Sequence, residues 1–201
     1  KDFDPDYMVA AYDLPEPTFR KEMYDDYKAG RAETPDDFYT QIPRVLQCFE
    51  AFAIPTLSNP KYEADDLSGT LAVSQHKAGY TVTIVTGDRD LFQMANAGIR
   101  VAIPHKGYAE PQYLNAEGVR EQLGVSPEQI PDYKGLTGDP SDNLKGVAGI
   151  GPKTAATLLQ TYGTLEEIYA HLGDIRLGVR KKLEEDRESA FFCRDLARII
   201  T

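Results

Sequence analysis

The chain has no tryptophan, two cysteines, three histidines and three methionines among 201 residues, and each scarcity closes off a chemistry. Cys48 and Cys193 are too far apart for a disulfide framework or a paired-cysteine metal spacing. They read as buried free thiols in a reducing compartment. His76, His105 and His171 fall outside every motif below, and no serine or cysteine sits beside a plausible base, so nucleophilic triad chemistry lacks its parts. No apolar run approaches a membrane span and no basic-then-apolar leader is visible, so a cytoplasmic protein is expected. Positive charge is short as well, with 22 basic against 32 acidic residues and a net charge of -10. Polyanion binding relies on Lys and Arg displacing counterions, so this balance counts against a phosphate-binding protein. The objection lapses if the carboxylates are gathered to hold divalent cations, which reverse the local field.

What is present alternates between strand and helix signals, and the length suits one large domain or two small ones. Tyr7–Tyr12 reads as a buried strand ending at Asp13, with Pro15 and Pro17 in its exit loop. Phe19–Arg31 mixes charge and aromatics without an apolar stripe, which predicts a helix with little to bury or a mobile segment. A helix is predicted from Thr34-Pro35-Asp36-Asp37 onward, with Phe38, Ile42, Val45, Leu46, Phe49 and Phe52 packing it on a sheet. Another spans Ala64 to Lys77 and stops at Gly79. Thr81–Thr86 and Ile99–Ile103 are predicted strands, with a short helix at Leu91–Ala97 between them. This rhythm is that of an α/β class fold with a mostly parallel sheet flanked by helices. Beyond Pro111 the pattern becomes short helices near Ala116–Leu123, Pro127–Leu136, Lys153–Thr161, Leu165–His171 and Leu177–Glu185. We place a boundary near 108–112, giving an α/β domain at 1–110 and a helical one at 111–201.

Carboxylates stand where such a sheet binds ligands, beyond the carboxyl ends of its strands. Asp13, Asp88 and Asp90 occupy such ends, Glu63, Asp65 and Asp66 open a helix, and Asp139 and Asp142 lie in the loop Thr137-Gly138-Asp139-Pro140-Ser141-Asp142-Asn143. Each group alone has a plain reading as a helix-start partner or a turn residue. Together they suit hard divalent cations such as Mg²⁺ or Mn²⁺, which take oxygen ligands, and two such ions can drive in-line phosphodiester hydrolysis without a protein nucleophile.

The same loop runs into Gly149-Ile150-Gly151-Pro152-Lys153-Thr154, a glycine turn with proline at a first helical position. Gly149, Gly151, Lys153 and Thr154 resemble the hairpin of a helix-hairpin-helix element, whose backbone amides hold duplex phosphates without reading bases. The plain alternative is a tight turn between packed helices. Lys145 and Arg180-Lys181-Lys182 add positive charge here, or the latter three form a solvated face. Arg20, Lys28 and Arg31 among Tyr24 and Tyr27 suit single-stranded nucleic acid, with charges on the backbone and rings on bases.

Tyr62-Glu63-Ala64-Asp65-Asp66, Thr86-Gly87-Asp88-Arg89-Asp90 and the two segments just quoted stand in one order, and in this the chain resembles the 5′–3′ exonuclease domains of bacterial DNA polymerase I, within the flap-endonuclease-like family of structure-specific 5′ nucleases. The likeness runs from Phe19-Arg20-Lys21-Glu22 to Arg194-Asp195-Leu196-Ala197. It implies a PIN-like core with a helical arch at about 18–40, followed by a helix-hairpin-helix (helix-three-turn-helix) subdomain. It implies a first metal site from Asp13, Glu63, Asp65 and Asp66, and a second from Asp88, Asp90, Asp139 and Asp142. Lys28 and Arg31 would be catalytic cations beside the scissile phosphate, Arg20 and Tyr27 would contact DNA, and the hairpin would hold duplex and K⁺. The implied substrates are DNA with a 5′ end or flap and RNA–DNA hybrids. The implied setting is nucleoid-associated replication and repair, with a fused or separate polymerase module.

The family's sheet begins with an earlier strand carrying a metal-binding aspartate, whereas Lys1-Asp2-Phe3 leads almost directly into what matches a later strand. An N-terminally truncated chain is therefore expected, and Lys145 stands where the family often has proline. The competing reading is a catalytically impaired structure-specific DNA-binding fragment that keeps the hairpin. A PIN-like ribonuclease is more distant, since those lack the hairpin.

Overall fold

A computed structural model describes residues 4–104 and 111–201. The residues fall into two units, Lys1–Ser68 and Gly69–Thr201. The expected boundary near 108–112, His105 and the Lys1-Asp2-Phe3 lead-in lie wholly or largely outside the described residues.

In the first unit β1 (Ala10–Ala11) is followed by α1 (Phe19–Met23), α2 (Asp36–Ala51), β2 (Thr56–Leu57) and the start of α3 (Ala64–Lys77). β1 pairs in parallel with β2 over only two residues, Ala10 with Thr56 and Ala11 with Leu57. The expected buried strand over Tyr7–Tyr12 is thus reduced to its centre, and Tyr7, Met8 and Val9 are exposed. α2 forms where predicted, continuing through Pro43, but none of its residues is buried. Ile42, Leu46 and Phe49 are half-covered, whereas Phe38, Val45 and Phe52 are exposed. The spacing marks an amphipathic helix correctly, but spacing does not guarantee that a sheet covers the stripe. Among the described residues of this unit, Tyr27 is the one buried hydrophobic side chain, and Arg20, Glu63 and Asp66 are buried with it.

The second unit carries β3 (Val82–Val85), β4 (Ile99–Ile103) and β5 (Gln112–Leu114) in the order β3-β4-β5. β3 and β4 are parallel, with Val82 opposite Ile99, and β5 returns antiparallel, with Leu114 opposite Val101. A 3-10 helix over Arg89–Met94 replaces the helix expected at Leu91–Ala97. The helices that follow are α4 (Ala116–Leu123), α5 (Ile130–Thr137), α6 (Pro152–Tyr162), α7 (Leu165–Ala170), α8 (Leu177–Glu185) and α9 (Arg187–Ala197). Their starts are chemically marked. Asn115 accepts the Gly118 amide at α4, Thr164 accepts the Glu167 amide at α7, and Pro152 opens α6.

One apolar core includes Phe92, Val101, Leu114, Val119, Ile130, Leu136, Leu159, Leu165, Ile168 and Leu183. Each large side chain buried there contributes about 1.5–3 kcal/mol. Val101 and Leu114 face one another across the β4–β5 pair within this core, so sheet and helices share it. A smaller cluster joins Ala72, Ile84, Leu91, Ile99 and Ile199. Among the described residues no helix is long and apolar enough to cross a membrane.

Candidate metal centre and phosphate hairpin

β3 delivers the chain to Thr86-Gly87-Asp88, where the Asp88 amide donates to Thr86 Oγ1 at 3.0 Å. Asp88 then caps the 3-10 helix, its carboxylate accepting the Asp90 amide at 2.9 Å. This turn directs Asp90 inward, leaving its side chain 18% exposed. At the end of α5 the chain turns at Gly138, and Asp139 and Leu144 exchange two backbone hydrogen bonds of 2.8 Å. The close turn demands small residues, because a Cβ on Gly146 would come within 2.2 Å of the Gly138 nitrogen. Ser141 donates to Asp139 Oδ1 from both its amide (2.9 Å) and its hydroxyl (2.6 Å), which orients that carboxylate. Asp142, 6% exposed, follows in the same loop.

These turns bring Asp90, Asp139 and Asp142 together, with one oxygen from each within 4.8 Å of the others. Lys134, one turn before the end of α5, donates to Asp139 Oδ2 at 2.5 Å and also to Asp90 Oδ1. Burial, aided by Asp88 and Asp139, pushes the Asp90 carboxyl up to about 6 against the opposing pull of Lys134. Burial also opposes ionisation of Asp139, but Lys134 and Ser141 outweigh it and hold Asp139 below the usual carboxylate range. For Lys134, burial is outweighed by Asp90 and Asp139, which keep it firmly charged. The donor set is all carboxylate, the set a hard divalent ion prefers, and a cationic nitrogen already bridges two of its members.

The hairpin follows on the same stretch of chain. Gly149 adopts φ +75° and its carbonyl accepts from Lys182 Nζ at 2.9 Å, while the Ala148 amide donates to Asp186 at 2.8 Å. Gly151 precedes Pro152 at the exposed start of α6, and a Cβ there would meet nothing within 4 Å. Among the described residues no contact therefore requires glycine at 151. Lys153 is exposed beside it and Thr154 is half-buried.

In the first unit Asp13 accepts the Ala64 amide at 2.7 Å. Arg20 makes a two-pronged pair with Asp66, at 2.6 and 2.7 Å, and reaches Glu63 at 3.3 Å. Glu63 also receives Lys28 Nζ at 2.8 Å and the Tyr27 hydroxyl at 3.2 Å.

Two family models together cover the whole chain: "5′–3′ exonuclease, N-terminal resolvase-like domain" matches residues 1–124 and "5′–3′ exonuclease, C-terminal SAM fold" matches residues 125–201. The chain belongs to the 5′–3′ exonuclease family. It is 41% identical over 197 residues to DNA polymerase I of Bacillus caldotenax, covering 98% of this chain and 22% of that protein. To DNA polymerase I of Deinococcus radiodurans it is 43% identical over 197 residues, covering 96% of this chain and 20% of that protein. The chain thus spans about a fifth of the length of these curated relatives. Among solved structures, the T5 D15 protein co-crystallized with metal ions shares the fold with a TM-score of 0.78 at 21% identity, covering 96% of this chain and 75% of that one. The catalytic core of Rad2 in complex with DNA substrate matches with a TM-score of 0.61 at 19% identity, covering 96% and 66%.

Within this family member the predicted site residues separate by environment. Asp90, Asp139 and Asp142 converge, whereas Asp88 spends one carboxylate oxygen on the Asp90 amide. Asp13 similarly accepts the amide that opens α3, and Asp65 lies half-buried in the first turn of that helix. Arg20 and Tyr27, expected at the DNA surface, are 3% and 6% exposed and bond to Asp66 and Glu63. Asp66 and Glu63, expected as metal ligands, also accept from Arg20 and Lys28. Lys28 and Arg31 remain nearer the surface, Lys28 with φ +58° and 27% side-chain exposure. Lys182 donates its ammonium to the Gly149 carbonyl of the hairpin. Cys193 is buried as predicted and Cys48 is exposed. Lys134 escaped the sequence reading; its one signal was a lysine a single helical turn before the Gly138-Asp139 corner.

Proposed function

We propose that this chain is a divalent-metal-dependent 5′ nuclease that hydrolyses phosphodiester bonds of DNA at a 5′ end or flap. The observation that carries the reading is the Asp90–Asp139–Asp142 cluster, joined through a few residues to a hairpin whose Gly151 and Lys153 face solvent. Asp90, Asp139 and Asp142 would hold one ion, and the carboxylates of Asp13, Glu63 and Asp65 are the ligands proposed for another. Bound Mg²⁺ or Mn²⁺ supplies Lewis acidity and a water of lowered pKa. The protein's own part is to position. Gly149, Gly151, Lys153 and Thr154 would grip a duplex phosphate by backbone and charge, and Lys28 and Arg31 would neutralise the phosphate being cleaved. RNA–DNA hybrids as further substrates, and a polymerase module as partner, are proposed from the polymerase relatives.

The assay is cleavage of a 5′-labelled flap with Mg²⁺, with binding followed in Ca²⁺. We expect incision that chelator abolishes and that Asp139→Asn lowers roughly a hundredfold or more. Incision unaffected by either would sink the metal reading. Lys153→Ala should weaken duplex binding while reducing the salt slope by about one. One observation favours a silent DNA-binding protein: Lys134, Lys28 and Arg20 already pair with the carboxylates. That alternative predicts tight flap binding with no cut product.

A further inference from the structure

Lys134 has no part in the scheme above, yet it lies inside the proposed metal centre. Its side chain is 14% exposed and its ammonium contacts Asp90 Oδ1 and Asp139 Oδ2, two of the three carboxylates that converge. An ammonium and a divalent ion compete for the same oxygens, and at that distance they repel one another. We infer that Lys134 is a tethered counter-cation: it holds the metal-free carboxylates together, and a divalent ion must displace it to bind. The inference rests on the metal reading of this cluster.

The geometry makes such a device workable. Asp139 Oδ1 is fixed by Ser141, so loss of the Lys134 contact frees Oδ2 without releasing the carboxylate. Lys134 lies one turn from the end of α5, where the Gly138 amide donates to its carbonyl, so its backbone stays fixed while the side chain swings. The displaced ammonium remains beside the ion and would meet the next anion to arrive, which at this site is a substrate phosphate. Lys134 is accordingly a positioning residue that sets metal affinity and links it to substrate.

The test is Mn²⁺ binding and thermal melting of the full chain, comparing wild type, Lys134→Met and Asp139→Asn. Lys134→Met should bind Mn²⁺ roughly tenfold more tightly than wild type, because no tethered charge has to leave. It should melt below wild type in chelator and draw level with it as Mn²⁺ saturates. Unchanged affinity, or a melting deficit that persists at saturating Mn²⁺, would make Lys134 a structural ion pair and overturn the inference. Should the variant fail to fold, reductive methylation of wild type read by mass spectrometry decides. Lys134 should be protected without metal and label several-fold faster with Mn²⁺, and equal labelling would refute displacement. Mn²⁺ binding that survives Asp139→Asn intact would sink the metal reading itself, and the inference with it.

Discussion

Asp90 carries its charge against burial, and its titration should be measurable as stability. Its carboxyl stands near 6 where an unfolded chain has 3.8. The folded state therefore binds the proton more tightly between those values, and stability falls as pH rises through that window. At about 1.4 kcal/mol per unit the effect is on the order of 3 kcal/mol at most. Urea unfolding in chelator should thus show the metal-free chain gaining stability from pH 7 down to about pH 4.5, where other carboxylates begin to protonate. Asp90→Asn should flatten that rise, and an equally steep rise in the variant would place the titration elsewhere. Whether Asp88 or Asp90 turns inward was not legible from the sequence. Both follow the strand, and only the capping bond from the Asp90 amide to Asp88 assigns one to the turn and the other to the cluster. The burial of Arg20 and Tyr27 was illegible for a related reason. A basic residue near tyrosines has the composition of a nucleic-acid surface, but here carboxylates from the start of α3 draw the guanidinium and the hydroxyl inside.

Among the elements, those announced by local chemistry were legible and those defined by pairing were not. α4 and α8 lie where predicted, and α6 and α7 differ only at their ends; Asn115, Pro152 and Thr164 mark the starts of α4, α6 and α7 in the sequence. β5 is three residues long, Gln112–Leu114, with only Leu114 buried, so no alternation could reveal it. α9 was hidden because Asp186 ends α8 and begins the next helix, leaving no Gly or Pro between them. The Asp139–Leu144 turn was read correctly as a shaped loop, and it supports a sharp prediction. Gly146 has φ +62° and its missing Cβ would overlap the Gly138 nitrogen. Gly146→Ala must therefore push the turn open, at a cost of about 2–4 kcal/mol from left-handed strain and overpacking. Chemical unfolding measures that loss, and Mn²⁺ affinity should drop with it, because Asp139 and Asp142 ride on the turn. A stable variant with wild-type Mn²⁺ affinity would show that the turn does not position the ligands.

On the scale of the whole chain, the net charge of -10 is the property that most needs a cation, since packing that much like charge opposes compaction. Tethered cations answer part of the demand locally, Lys134 in the second unit and Arg20 and Lys28 in the first. Lys134 carries one charge for the two carboxylates of Asp90 and Asp139, so negative charge is left over between them. A divalent ion that binds only the folded arrangement must then stabilise it by mass action. At a Mg²⁺ concentration about a hundred times its dissociation constant, the gain is about 2.7 kcal/mol. For a chain of this size each kcal/mol raises the melting temperature by roughly 2–4 °C, so a rise of about 5–10 °C is expected. Calorimetry should show it with Mg²⁺ and not with NaCl of equal ionic strength, because screening acts on every charge whereas ligation acts on three. Asp139→Asn should remove most of the Mg²⁺ increment and leave the NaCl response in place. If NaCl reproduced the full rise, the acidic residues would be relieved by general screening, and the cluster of Asp90, Asp139 and Asp142 would have no claim to a specific ion.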